Sequence, residues 1–206
     1  MFEIFHPESR FMEMLGRITD MMLLNVLFII TSLPVVTIGA SSAALYSVTL
    51  KLSREEDVYP LREYLSSFRS NFRKPTVLWL ILSAVGMLLA AETALLLLVD
   101  SGIKYPLLII QGGLLLFYLT TFFTAIPLAA EATEGEMEIL KTALTLPFYS
   151  LPEVMGVLAV NVVPVLFTGY LFLFLPNIFM VWGFIGFSCI AYASSFFMNR
   201  VLKKRE

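Results

Sequence analysis

The charged residues of this chain are clumped, falling mainly in 1–20, 51–74, 131–141 and 200–206, with long and nearly uncharged apolar stretches between them. A hydrocarbon core ~30 Å thick needs roughly twenty such residues for each helical crossing, and a soluble fold has no use for so many uninterrupted runs. Composition agrees: with 58% hydrophobic and 15% charged residues in 206, the chain lacks the polar surface to cover a water-soluble domain. The pattern predicts an all-α membrane protein, a polytopic helical bundle of six, alternatively five, transmembrane helices with two cytoplasmic amphipathic connector helices. All of it, 1–206, reads as one integral membrane domain.

Within 1–17, Pro7 to Arg17 places Phe11, Met14, Leu15 and, beyond it, Ile18 at i, i+3, i+4 and i+7, the pattern of a short helix lying in the membrane interface. The apolar run of 18–52 is about 35 residues, long for one span and short for two at ~1.5 Å per residue. Pro34 and Gly39 interrupt it, so it reads as a hairpin, Ile18–Leu33 and Ala40–Leu52, turning at Pro34, Thr37 and Gly39. The rival reading is one kinked span with a re-entrant tail. A cleaved signal peptide fits poorly, because Glu3, Glu8, Glu13 and Asp20 spoil the basic leader such a segment requires. Thr76–Val99, Tyr105–Ala130, Pro152–Phe174 and Asn177–Met198 are clearer spans, paired as hairpins over 75–130 and 152–199 by turns at Asp100-Ser101-Gly102 and Leu175-Pro176-Asn177.

Two connectors, 53–74 and 131–151, read as amphipathic helices. Leu61, Leu65, Phe68 and Phe72 line one face of the first; Met137, Leu140, Leu144 and Phe148 line one face of the second. Each ends just before a proline, Pro75 or Pro152, that opens the next span, where a missing N–H costs nothing. This suggests an internal repeat of span, surface helix, span.

Short cytoplasmic loops carry the excess of Lys and Arg. With six spans every Lys and Arg except Lys104 falls on one side, including the connectors and the 200–206 tail, and that side is the cytoplasmic one in a bacterial plasma membrane. With five spans Arg10 and Arg17 move outside. Basic residues beside spans read as anchors for anionic membrane lipids, and the net charge of -2 gives no footprint for nucleic acid.

An ionisable side chain inside a span is expensive and therefore a candidate for function. Glu92 is the main one, and Gln111 enters the next span from the same side, so the two are expected to face one another with Gly112 and Gly113 allowing close approach. Asn25 and Asn161 are expected to hydrogen-bond between helices, and Gly86 with Ala90, and Gly183 with Gly186, to give small packing faces. The single Cys189 reads as a buried structural thiol. With His6 the only histidine and no phosphate-cradling glycine loop, no catalytic set, metal site or cofactor is expected, and the chain reads as not an enzyme.

The stretch Ser32 to Tyr46, SLPVVTIGASSAALY, with Phe68, Asn71 and Phe72 downstream, resembles the YesL family of bacterial integral membrane proteins, a domain of unknown function. Ser41 and Ser42 stand where such sequences commonly have alanine or threonine. The resemblance implies no reaction or ligand; it implies association with carbohydrate uptake systems of the ABC type, and so permease or ATPase subunits as partners. Read physically, Gly39 is expected to adopt a backbone conformation closed to other residues, with Ser41 or Ser42 capping the helix that follows. A fainter likeness joins Glu131-Ala132, Gly135 and Leu146-Pro147 to the loop with which ABC permeases dock their ATPase, but the glycine comes too soon and the last proline too late. The function expected is that of an accessory or regulatory component of uptake; the alternative is a small stand-alone transporter or channel working through Glu92 and Gln111.

Overall fold

The computed structural model describes residues 10–98, 102–132, 134–173 and 176–204. The first part of the expected interfacial helix, His6, Asp100-Ser101, Leu175 and Arg205 lie outside the described residues. In chain order come α1 (Arg10–Ser32), a 3-10 turn (Val35–Thr37), α2 (Ile38–Ser53), α3 (Pro60–Ser70), α4 (Arg73–Leu98), α5 (Lys104–Glu131), α6 (Glu136–Tyr149) and α7 (Leu151–Phe172). A second 3-10 turn (Pro176–Ile178), the single turn α8 (Phe179–Val181), a π-helical turn (Trp182–Gly186) and α9 (Phe187–Lys203) complete the chain.

Among the described residues five helical stretches are long and apolar enough to cross a membrane: Met14–Ser32, Val35–Ser53, Arg73–Leu98, Lys104–Glu131 and Leu151–Phe172. The expected sixth, Asn177–Met198, is not an unbroken α-helix, because the π turn interrupts it at Trp182–Gly186.

The hub is α2. Gly39 to Ser41 and Ala43 to Leu50 are all buried, and α1, α3, α4, α5 and α9 pack around them. A run of Gly, Ala and Ser at the start of α2 lets five neighbours approach, which is how helices associate where lipid offers no hydrophobic drive. By contrast α4 buries only Pro75, Thr76, Leu78 and Leu82, and its later residues, Leu88 and Leu98 among them, are exposed. Such a surface needs hydrocarbon around it.

The first hairpin turns where the sequence places it. α1 ends at Ser32, Pro34 is extended at φ -74° and ψ 117°, and α2 starts at Ile38. Its chemistry differs from expectation. No glycine among the described residues has a positive φ, and Gly39 is demanded by proximity instead: a Cβ there would lie 2.3 Å from the Pro75 carbonyl oxygen and 2.6 Å from Trp79 Cβ. Neither Ser41 nor Ser42 caps α2. Thr37 holds the N-cap position and turns its hydroxyl back to the carbonyls of Thr31 (2.6 Å), an acceptor in the last turn of α1, and Pro34 (2.7 Å).

Both connectors fold back against the span they follow, α3 on α2 and α6 on α5, where Phe148 meets the Phe117 ring at 6.0 Å. Their C-caps match, Asn71 at φ -118°, ψ 41° and Ser150 at φ -139°, ψ 47°, and the next helix starts within two residues of each. Part of each apolar stripe is turned away from the bundle. α6 buries Ile139, Ala143 and Leu146 and leaves Met137, Leu144 and Phe148 exposed; α3 buries Tyr64, with Leu65 and Phe68 partly covered and Leu61 and Phe72 exposed.

Candidate functional site

Gln111 and Glu92 do not meet. The Gln111 amide is buried and donates to Thr93 Oγ1 (3.0 Å) and the Leu89 carbonyl (3.3 Å), while Glu92 lies on the exposed side of α4. A Cβ at Gly112 or Gly113 would touch nothing, so these glycines do not set the α4–α5 distance. Gly86 does: a Cβ there would strike the Tyr118 hydroxyl, which donates to the Leu82 carbonyl at 2.9 Å.

Asn25 is fully buried against the π turn and uses its whole amide on it. Nδ2 donates to the carbonyls of Trp182 (2.9 Å) and Gly183 (2.8 Å), and Oδ1 accepts the N–H groups of Phe187 (3.0 Å) and Ser188 (3.2 Å). A π turn breaks the regular i to i−4 ladder, and one carboxamide here covers the backbone groups it releases. Asn161 on α7 donates to Ser194 Oγ on α9 at 2.8 Å and to its own Val157 carbonyl at 2.8 Å, and Tyr46 of α2 joins the same group. Both asparagines therefore join helices, as expected. Cys189 is exposed rather than buried, and a Cβ at Gly183 would meet nothing, so that glycine makes no small packing face.

The most polar assembly lies where α2, α5 and α9 all end. Arg54, the residue after α2, donates through Nη2 to Glu131 Oε2 at the end of α5 (2.8 Å) and through Nε to Asn199 Oδ1 on α9 (2.7 Å). Asn199 in turn donates to Ser53 Oγ at 2.6 Å. A carboxylate at a helix C-terminus opposes the local dipole, and the Arg54 cation relieves both Glu131 and the α2 end. Beside it Lys51 pairs with Glu63 at 2.6 Å. Between the two ion pairs opens a polar cavity of about 450 Å³, lined by Ser47, Lys51, Glu63, Ser67, Ser70 and Glu131 among others.

The α3–α4 corner closes this cavity. Asn71 Nδ2 donates to the Ala129 carbonyl (2.8 Å) in the last turn of α5, and Lys74 Nζ donates to the Glu134 carbonyl (2.8 Å). Tyr64 anchors α3 from below: its hydroxyl lies 2.6 Å from Thr31 Oγ1 and 3.4 Å from the Ser41 carbonyl, and burial pushes its pKa up to about 12. Sequence reading missed the Arg54 cluster because its members stand 77 and 145 positions apart. Tyr64 had a local signal, sitting three residues from both Leu61 and Ser67 beside the apolar stripe.

These features define a helical membrane protein whose buried polar groups tie helices together and which has a polar cavity among helix C-termini. Over residues 21–93, which run from α1 to Thr93 of α4, the chain matches a family described as "Protein of unknown function, DUF624". The matched stretch contains Asn25, the Pro34–Gly39 turn, Arg54, Tyr64 and Asn71. No curated protein and no solved structure matches the chain.

Proposed function

We propose that this is a non-enzymatic multi-pass protein of the bacterial plasma membrane, with six spans, its C-terminus cytoplasmic, and a role as accessory or regulatory component of ABC-type carbohydrate uptake. The permease or ATPase subunits of such a system engage the face that carries α3, α6 and the Arg54 cluster. The observation that supports this is the state of α6, which folds onto α5 yet leaves Met137, Phe148 and Tyr149 exposed at 65%, 78% and 82%. Placing that face in the cytoplasm rests on the Lys and Arg distribution, with Lys104 alone opposite; there Lys104 reaches the Leu97 carbonyl at the end of α4 (2.7 Å). The carbohydrate part rests on the resemblance of 32–46 and of Phe68, Asn71 and Phe72 to the YesL family. A stand-alone transporter using Glu92 and Gln111 has less behind it, because Gln111 is held by Thr93.

Purification in mild detergent from cells growing on an oligosaccharide tests the reading. Permease or ATPase subunits should come down with wild type and be lost with Phe148→Glu. Recovery of this protein alone, from cells that express those subunits, would overturn it. Labelling of Val35→Cys in a Cys189→Ser background from outside the cell tests whether the first hairpin supplies two of the six spans, since Val35 is 64% exposed at the first turn.

A further inference from the structure

Along one flank of the last helical run lies an apolar groove of about 690 Å³ between α7 and the π turn with α9, walled by Val160, Pro164, Trp182, Gly186, Ile190 and Ala193 among others. Its far end is closed by a bridge in which Trp182 Nε1 donates to Thr168 Oγ1 at 3.2 Å. Gly186 makes room for that ring, since a Cβ there would sit 3.1 Å from the Trp182 indole.

Ile185 and Cys189 line this groove and also a second, smaller cavity of about 150 Å³ against α1, where Arg17, Asp20 and Tyr192 gather. Arg17 Nη1 donates to the Tyr192 hydroxyl at 3.3 Å, which fixes the guanidinium at the edge of the apolar surface. From Trp182 to Tyr192 the helical run rises about 15 Å. That is roughly half of a ~30 Å hydrocarbon core, the depth of one leaflet.

We propose that this flank is a binding site for one membrane phospholipid, with an acyl chain in the α7–α9 groove and the phosphate at Arg17 and Tyr192. An apolar trough one leaflet deep with a fixed cation at its mouth has the shape and polarity of such an amphiphile. Asp20 gives the mouth one charge of each sign, which suits a zwitterionic headgroup whose ammonium meets Asp20 while its phosphate meets Arg17. The π turn, held from behind by Asn25, shapes the trough. The site depends on the membrane character of the chain and not on any partnership in carbohydrate uptake.

The chain has two tryptophans, so Trp79→Phe leaves Trp182 as the sole reporter. This protein is placed in nanodiscs of unlabelled phosphatidylglycerol with rising fractions of brominated-chain phosphatidylethanolamine, and Trp182 emission is followed. Quenching should saturate at a low brominated fraction. Ala193→Phe, which fills the groove, should make it linear, and Arg17→Gln should raise the half-saturating fraction several-fold. Brominated phosphatidylglycerol in unlabelled phosphatidylethanolamine should quench less at equal fraction. Native mass spectrometry of the wild type from mild detergent should retain one phospholipid per chain, a readout that needs no variant to fold. Quenching proportional to brominated fraction and unchanged by Ala193→Phe would overturn the site, as would quantitative Cys189-to-Cys189 cross-linking of two copies with no lipid retained. Equal saturation by both headgroups would overturn the assignment of Asp20.

Discussion

Gly39 at the start of α2 and Pro75 at the start of α4 are packed backbone to backbone, so closely that a methyl group on Gly39 would fall 2.3 Å from the Pro75 carbonyl oxygen. The obstacle is main chain rather than the end of a flexible side chain, so it cannot step aside. Gly39→Ala should therefore destabilise the protein by about 1–3 kcal/mol, the usual cost of overpacking. Gly113→Ala, where a Cβ meets nothing, should leave the thermal midpoint in detergent unchanged or slightly raised. Equal midpoints for both variants would show that α2 and α4 can separate without loss.

Asn25 completes four hydrogen bonds, two to carbonyls of the π turn and two from the first N–H groups of α9. Asn25→Ala strands several buried backbone groups at once, and leaving one such group unpaired costs about 1–3 kcal/mol. Asn25→Asp keeps the two accepted bonds and replaces two donors with an acceptor facing the carbonyls of Trp182 and Gly183, so it should be no better tolerated than Ala. Thermal midpoints should fall for both, with Trp182 emission shifted as the turn relaxes.

Gln111 and Glu92 should separate cleanly by mutation. Gln111→Leu removes a bond between α5 and α4 and should cost about 0.6–1.7 kcal/mol, the range for hydrogen bonds between helices in membranes. Glu92→Gln should change stability little, because Glu92 is on the exposed side of α4. Comparable losses from both would indicate that the two residues depend on one another.

Arg54 and Glu131 form a partly exposed pair, with side chains 35% and 26% accessible, so their coupling should be small, about 1 kcal/mol or less in a double-mutant cycle of Arg54→Met with Glu131→Gln. It should shrink further at 1 M salt, where the Debye length is about 3 Å. Asn199, which takes the Nε bond, should not respond to salt.

What was legible in the sequence was whatever depends on local pattern. Pro34 stops α1 within two residues of its expected end, and the hydropathy of 76–99, 105–130 and 152–174 places α4, α5 and α7 to within three residues at each end. Asn25 and Asn161 were recognisable as helix joiners because an amide in an apolar run must find a partner. Relations across the chain were not legible. Gly39 looked like a turn glycine because it follows Pro34, and only the arrival of Pro75 and Trp79 shows that closeness is its constraint. Which face of α6 is buried could not be read, because periodicity tells which residues are apolar but not which apolar face meets protein and which meets lipid. In a bilayer both are hydrophobic, so the usual contrast between core and surface vanishes.

Tyr64 makes the final prediction, a dependence on alkaline pH. Burial under α3 raises its pKa from the ordinary 10.0 to about 12, against the opposing pull of the Thr31 hydroxyl. Below pH 10 the phenol is protonated in folded and unfolded chains alike, and its contribution to stability is fully present. Between 10 and 12 the unfolded chain releases the proton first, so the free energy of unfolding falls as pH rises, and the loss is complete once the folded pKa has been passed. Tyr64→Phe removes this component together with the 2.6 Å contact to Thr31, at a cost of about 1 kcal/mol at neutral pH. Other tyrosines and the lysines titrate in the same range, so the measurement is the difference between wild type and Tyr64→Phe. That difference in thermal midpoint should be constant from pH 7 to 9.5, narrow above pH 10 and reverse sign before pH 11.5, because a shift of this size outweighs about 1 kcal/mol. A difference that stays constant to pH 11.5 would mean that water reaches the Tyr64 hydroxyl and that α3 is not held shut over Thr31 and Ser41.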